Sequence, residues 1–206
     1  MIDYIHNLQY FCRCFFKIVP ENGQVRPNSE VVVFGSVVRL IQEPTKCTVV
    51  ASGLEDTGSE SSFGCVCLRR SLSSHDDLAA QWLLTSRYKL RSEGDAVQTD
   101  DFIILKNARY RNRHLTKIPS IDPGRYDHMV GLQRNYAELM KEGWQLKILS
   151  SFPLVSKVLM TTKETRALIG GDYIRLLHQE ESGQLIVRAD DSQDYNSLVA
   201  PLVKLV

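Results

Sequence analysis

The sequence predicts an all-β fold assembled from a recurring two-stranded unit, and three observations carry that expectation. Gly35-Ser36-Val37-Val38-Arg39-Leu40-Ile41-Gln42 reappears without a gap 136 positions on, as Gly171-Asp172-Tyr173-Ile174-Arg175-Leu176-Leu177-His178. A third copy, Asp101-Phe102-Ile103-Ile104-Leu105, lies 65 positions after the first when Asp101 is set on Ser36. A large aromatic residue precedes each copy: Phe16, Trp82 and Trp144. Recurrence of this kind marks an architecture in which one unit cannot bury its apolar face alone.

Each copy reads as a hairpin. A small or acidic residue opens a tight turn. The strand that follows alternates apolar positions, Val38 with Leu40 and Ile174 with Leu176, as a half-buried strand does. A polar loop comes next: Glu43 to Lys46, Asn107 to Arg113, or Gln179 to Gly183. The return strands align as Val49-Val50, His114-Leu115 and Leu185-Ile186. The preceding aromatics suit the plug of a closed sheet. Strand units of this kind, separated by Gly, Ser, Asn and Pro turns, predict a β-trefoil-type barrel. Helix content is expected to be small: a turn within Leu78 to Leu84, and one short surface helix from Leu132 to Lys141, closed by Gly143.

The chain has 206 residues, 43% hydrophobic and 24% charged, with a net charge of +1. That size allows a real core. So small a net charge provides no global field for nucleic acid or an anionic membrane, so neither is an expected partner. No apolar run reaches the roughly 20 residues of a spanning helix, since Phe152 to Met160 is interrupted by Lys157. The start lacks a basic stretch followed by an apolar one, so no signal peptide is expected. Five cysteines include two C-x-C pairs, Cys12/Cys14 and Cys65/Cys67. C-x-C puts both thiols on one face of a strand, whereas structural zinc favours C-x₂₋₄-C. Buried strand cysteines are expected rather than a metal site, in a reducing compartment.

Candidate chemistry is sparse. Arg109, Arg111 and Arg113 form the one dense basic cluster. At a hairpin tip alternate residues share a face, so the three are a candidate phosphate or partner contact. Gly170-Gly171-Asp172 is read as a turn, because an alternating strand follows it where a phosphate loop needs a helix. The five histidines show no metal-binding spacing. No catalytic, cofactor-binding or metal-binding residue is assigned, and no enzyme is expected.

Two stretches carry a family resemblance. Arg87-Tyr88-Lys89-Leu90-Arg91-Ser92-Glu93-Gly94-Asp95-Ala96-Val97 with Asp101 to Leu105, and Leu168-Ile169-Gly170-Gly171-Asp172 to His178, resemble the amino-terminal region of inositol trisphosphate and ryanodine receptors. Cys14 to Pro20 and Gly143 to Ile148 fit more loosely. The resemblance implies MIR-like hairpin repeats in the regulatory module of a tetrameric calcium-release channel, on the cytosolic face of the endoplasmic reticulum. The chain by itself would then be cytoplasmic. Its partners would be the channel's other domains and subunits, with inositol trisphosphate bound only in a full-length context. The basic ligand loop, the helical half of the clamp and the pore would lie beyond Val206, so no ligand residue carries over.

Family order divides the chain into an incomplete first trefoil (8–152), a linker (153–167) and the opening hairpin of a second, incomplete trefoil (168–206). Alternatively, the last hairpin swings back to close one barrel, which contact between Phe16 and Ile174 would reveal. A different functional class also fits: a stand-alone β-trefoil binding carbohydrate or protein, in the manner of the repeats appended to protein mannosyltransferases. A lectin would repeat aromatic and amide residues at equivalent loop positions, and these three loops share none.

Overall fold

The computed structural model describes residues 14–21, 30–42, 45–52, 64–72, 77–88, 90–111, 113–118, 128–133, 143–149, 166–178, 185–187 and 203–205. Twelve strands form one antiparallel sheet. They are β1 (Phe16–Pro20), β2 (Val37–Gln42), β3 (Cys47–Ser52), β4 (Gly64–Arg69), β5 (Trp82–Ser86) and β6 (Phe102–Asn107). The second half supplies β7 (His114–Ile118), β8 (His128–Gln133), β9 (Trp144–Leu149), β10 (Tyr173–His178), β11 (Leu185–Val187) and β12 (Val203–Leu205).

Six strands close into a barrel in the order β1-β10-β9-β6-β5-β2, with β2 returning to β1. Every joint recurs three times. Phe16, Trp82 and Trp144 each face the last residue of a neighbouring strand, Gln42, Asn107 and His178 respectively. On the other side the same three residues face Ile174, Val38 and Ile103. The remaining strands cover the barrel as paired hairpins, β3 with β4, β7 with β8 and β11 with β12. A closed sheet leaves no edge with unpaired backbone groups.

The pairing of Phe16 with Ile174 corrects the division of the chain. The 173–178 strand does not open a second lobe; it fills the barrel position between β1 and β9. Its apolar stripe, Ile174 and Leu176, is fully buried. Left in a separate incomplete lobe, that stripe would meet water, whereas the gap between β1 and β9 buries it and satisfies both neighbouring backbones. The 132–141 helix is also corrected at its start, since Leu132 and Gln133 belong to β8; its remainder lies outside the described residues. Leu78–Ala80 forms a short 3₁₀ turn, and β5 follows it from Trp82.

Inside the barrel the side chains stack in threes. Phe16, Trp82 and Trp144 make one layer; Ile18, Leu84 and Leu146 make another. Val38, Ile103 and Ile174 form a third, and Leu40, Leu105 and Leu176 a fourth. All are 0–1% exposed. Both indoles of the aromatic layer also tie barrel to cap: Trp82 Nε1 donates to the Val49 carbonyl (3.1 Å) and Trp144 Nε1 to that of Leu115 (2.9 Å).

These bonds revise the alignment of the return strands. Val49 and Leu115 hold equivalent places, and Thr48 and His114 do too, facing Ile41 and Lys106. The loop after β6 therefore carries one residue more than the loop after β2. His114 aligns with Thr48, not with Val49.

The opposite end is sealed by three short segments around Val32, Val97 and Leu168, all buried. Their backbones form a ring: Val32 N donates to Leu168 (2.8 Å), Leu168 N to Val97 (2.7 Å) and Val97 N to Val32 (2.9 Å). Each segment runs into a four-residue turn whose third residue has positive φ: Gly35 at 93°, Asp100 at 72° and Gly171 at 95°. Glycine holds that conformation without steric cost, and aspartate is among the few other residues that tolerate it. The next residue caps the turn from its side chain. Ser36 Oγ accepts from Val33 N (3.3 Å), Asp101 Oδ2 from Gln98 N (2.8 Å) and Asp172 Oδ2 from Ile169 N (2.8 Å).

Asp172 also accepts from Arg166 Nη2 at 2.6 Å. Asp172→Ala is therefore expected to cost about 1–3 kcal/mol, because it strands the Ile169 N–H. Asp172→Ser, which copies Ser36, is expected to restore roughly half of that. Urea unfolding of both variants measures the difference; equal losses in both would remove the capping role.

Candidate functional site

The basic cluster sits on the β6–β7 hairpin. Asn107, 1% exposed, organises this loop from below. Its Oδ1 accepts from Arg109 N (3.2 Å) and Tyr110 N (3.1 Å), and its Nδ2 donates to the Ala79 carbonyl (2.9 Å). Arg113 N closes the turn onto the Tyr110 carbonyl at 2.7 Å. The loop is thus held by turn-type bonds and not by the ladder of an extended strand. Arg109 and Arg111 are exposed, whereas Arg113 is buried at 8%. The Arg109 guanidinium lies over the Tyr110 ring, 5.5 Å from its centroid, and that ring packs on the core. The structure thus places Arg109 and Arg111 at the surface and Arg113 inside.

Below the loop, His114 is 3% exposed and its Nε2 has no hydrogen-bond partner. Burial, and then the Lys106 ammonium, push its pKa down from 6.5 to about 4. Neutral imidazole is therefore the folded form at neutral pH.

The first hairpin builds its loop in the same way. Gln42, fully buried, accepts through Oε1 from both Thr45 N and Thr45 Oγ1. The amides at equivalent strand ends, Gln42 and Asn107, are thus directed at their own loops and not outward. Among the described residues no group of three or more metal-binding side chains assembles, and no helix is long and apolar enough to cross a membrane.

A second surface feature was not singled out by sequence. Leu90 is 89% exposed and Tyr88 42% exposed, on the loop that leaves β5. The loop is well tied: Ser86 Oγ donates to the Tyr88 carbonyl (2.6 Å) and Ser92 N to Asp95 Oδ2 (2.8 Å). Arg91 Nη2 donates to Gln98 Oε1 (3.0 Å) and lies 3.6 Å from Asp101. Tyr88 meets Phe102 edge-on at 5.6 Å and carries Arg87 over its ring at 5.3 Å. Leu90 is thus exposed on a loop whose neighbouring residues are held by local bonds. The signal available in sequence was its isolation between Lys89 and Arg91.

No family model and no curated protein matches the chain. Among solved structures, the chain is similar to the SDF2-like protein from Arabidopsis thaliana, with a TM-score of 0.57 and 17% identity. That match covers 85% of this chain and 87% of the other. A Caenorhabditis elegans protein of unknown function matches with a TM-score of 0.49 and 12% identity over 94% of this chain and 86% of that one. A MIR-like β fold is the class that this architecture and the first likeness define.

The first likeness, to an SDF2-like protein, also overturns the receptor assignment, for which no family model matches. The resemblance had a physical source. Gly94 (φ 91°), Gly171 (φ 95°), Asp101 and Asp172 are turn residues with backbone duties. Motifs of that kind report a barrel's turns, and a fold does not carry a function with it.

Proposed function

We propose that the chain is a β-trefoil of MIR type whose work is binding another protein, not catalysis. What supports the trefoil reading is the threefold recurrence of every barrel pairing, core layer and capping turn. Binding is the alternative function set out from the sequence, and protein is favoured over carbohydrate on the use of the loop amides. Gln42 and Asn107 hold their own loops and are buried, whereas sugar recognition needs such groups presented outward.

The observation that carries the reading is Leu90. Burying an exposed leucine against a partner contributes about 1.5–3 kcal/mol, and the tied loop leaves little ordering entropy to lose on association. Photo-crosslinking from position 90 in the full chain, within its native cells, identifies the neighbour. A defined protein is expected, with association weakened about tenfold or more by Leu90→Asp. Selective binding on a glycan array, with Leu90→Asp having no effect on any protein association, would replace this reading with a lectin.

A further inference from the structure

We propose that Gly143 is the positioning residue of the Leu90 loop: it leaves the space that the Arg87 side chain fills, and Arg87 in turn braces Tyr88. The inference rests on the protein-binding reading and says what sets the shape of that surface.

Backbone conformation does not explain a glycine at 143. The described glycines with positive φ are Gly35, Gly94 and Gly171, so the backbone at 143 is one that other residues adopt. The helix-closing role expected from sequence would usually call for positive φ. Space explains it instead. A Cβ at position 143 would stand 2.6 Å from Arg87 Cδ and 3.4 Å from its Cγ and Nε, whereas carbons rest at about 3.5–4.0 Å. Gly143 is buried, and what it would strike is the middle of the Arg87 side chain, not its tip.

The threefold plan shows how this joint is otherwise filled. Arg87 follows Trp82 by five positions, as Glu21 follows Phe16. Each donates its N–H to the first residue of a hairpin strand, Glu21 to the Val37 carbonyl (2.9 Å) and Arg87 to that of Phe102 (3.0 Å). Gln81 precedes Trp82 as Gly143 precedes Trp144, and their strands meet those same residues at Leu83–Val37 and Gln145–Phe102. At the first joint both sides supply a side chain, and Gln81 Nε2 donates to Glu21 Oε1 at 3.1 Å. At the second, Gly143 supplies none and Arg87 occupies the place.

That occupancy reaches the surface. The Arg87 guanidinium lies over the Tyr88 ring at 5.3 Å, and the ring meets Phe102 edge-on at 5.6 Å. The Tyr88 carbonyl accepts from Ser86 Oγ (2.6 Å) and from Arg91 N (3.4 Å), the second bond closing the turn that carries Leu90. A side chain at 143 would push Arg87 off the ring and loosen that turn.

The test is a double-mutant cycle read by hydrogen–deuterium exchange of the full chain across residues 87–92. Gly143→Ala is expected to speed exchange there about fivefold or more, while residues 173–178, which pair with the strand after Gly143, keep the parent's rate. Arg87→Ala should speed the loop similarly. In the Arg87→Ala background Gly143→Ala should add nothing, because the atoms it strikes are gone. Additive effects, or unchanged loop exchange in Gly143→Ala, overturn the proposal. Equal acceleration in 173–178 also overturns it, since the barrel itself would then have loosened. Photo-crosslinking from position 90 reads the consequence: Gly143→Ala should cut the yield of crosslinked protein about fivefold or more, and a loosened loop with full yield overturns the role in binding. No crosslinked protein from the parent chain would defeat the Leu90 reading, while the exchange cycle still decides the contact between Arg87 and Gly143.

Discussion

Trp144→Ala is expected to destabilise the protein by about 3–5 kcal/mol, the range for emptying a large buried aromatic site. The side chain is 1% exposed and fills one third of the barrel's aromatic layer beside Phe16 and Trp82. It also meets the His178 ring edge-on at 5.3 Å. Two costs combine: the cavity, and the Leu115 carbonyl left without its indole donor. Domains of this size hold only about 5–15 kcal/mol in total, so one substitution removes a large share. Trp144→Phe separates the costs, because Phe16 shows that phenylalanine packs at the equivalent place. That variant should lose about 1–3 kcal/mol, from the lost bond and the smaller ring. Chemical denaturation measures both. A Trp144→Ala loss under about 1 kcal/mol would mean the barrel is not closed there.

The second large effect is a pH dependence centred on His114. Its folded pKa is about 4 against 6.5 for the free side chain. Between those values the unfolded chain binds more protons than the folded one, so stability falls as pH is lowered. This contribution is whole above pH 6.5 and is lost progressively toward pH 4, reaching about 3 kcal/mol at most.

The surroundings make the direction firm. Lys106 faces His114 on β6, Gln133 faces it on β8, and Arg113 and Lys117 share its strand. No carboxylate lies among these neighbours to welcome an imidazolium. His114→Thr copies Thr48, which holds the equivalent position, so that variant is expected to fold. Its stability between pH 4 and 6.5 should fall less steeply than that of the parent. Parallel curves for the two proteins would remove His114 as the source.

Much of the repeated unit was legible because its causes are local. The alternation in Val37–Gln42, Phe102–Asn107 and Tyr173–His178 comes from the strand's own period, and all three form strands. Phe16, Trp82 and Trp144 could be marked as core by size and position, and all three are buried. Gly171 and Asp172 could be read as a turn, because positive φ and side-chain capping are demands on particular residues.

The basic hairpin was legible as a cluster and not as a site. Whether Arg109, Arg111 and Arg113 share a face depends on the loop's backbone, which Asn107 bends into a turn from a buried position. The neutral state of His114 was hidden for a related reason, since burial and a cross-strand lysine cause it.

By itself, then, the sequence determined the units: which segments extend, which turns need glycine or aspartate, and which aromatics seek the interior. Only the tertiary structure decided how the units join. Phe16 and Ile174 pair across almost the whole chain, and nothing near either residue specifies the other. Closure is chosen by the free energy of burying the apolar stripes of the barrel at once while pairing each of its six strands on both edges, and that is a property of all three units together.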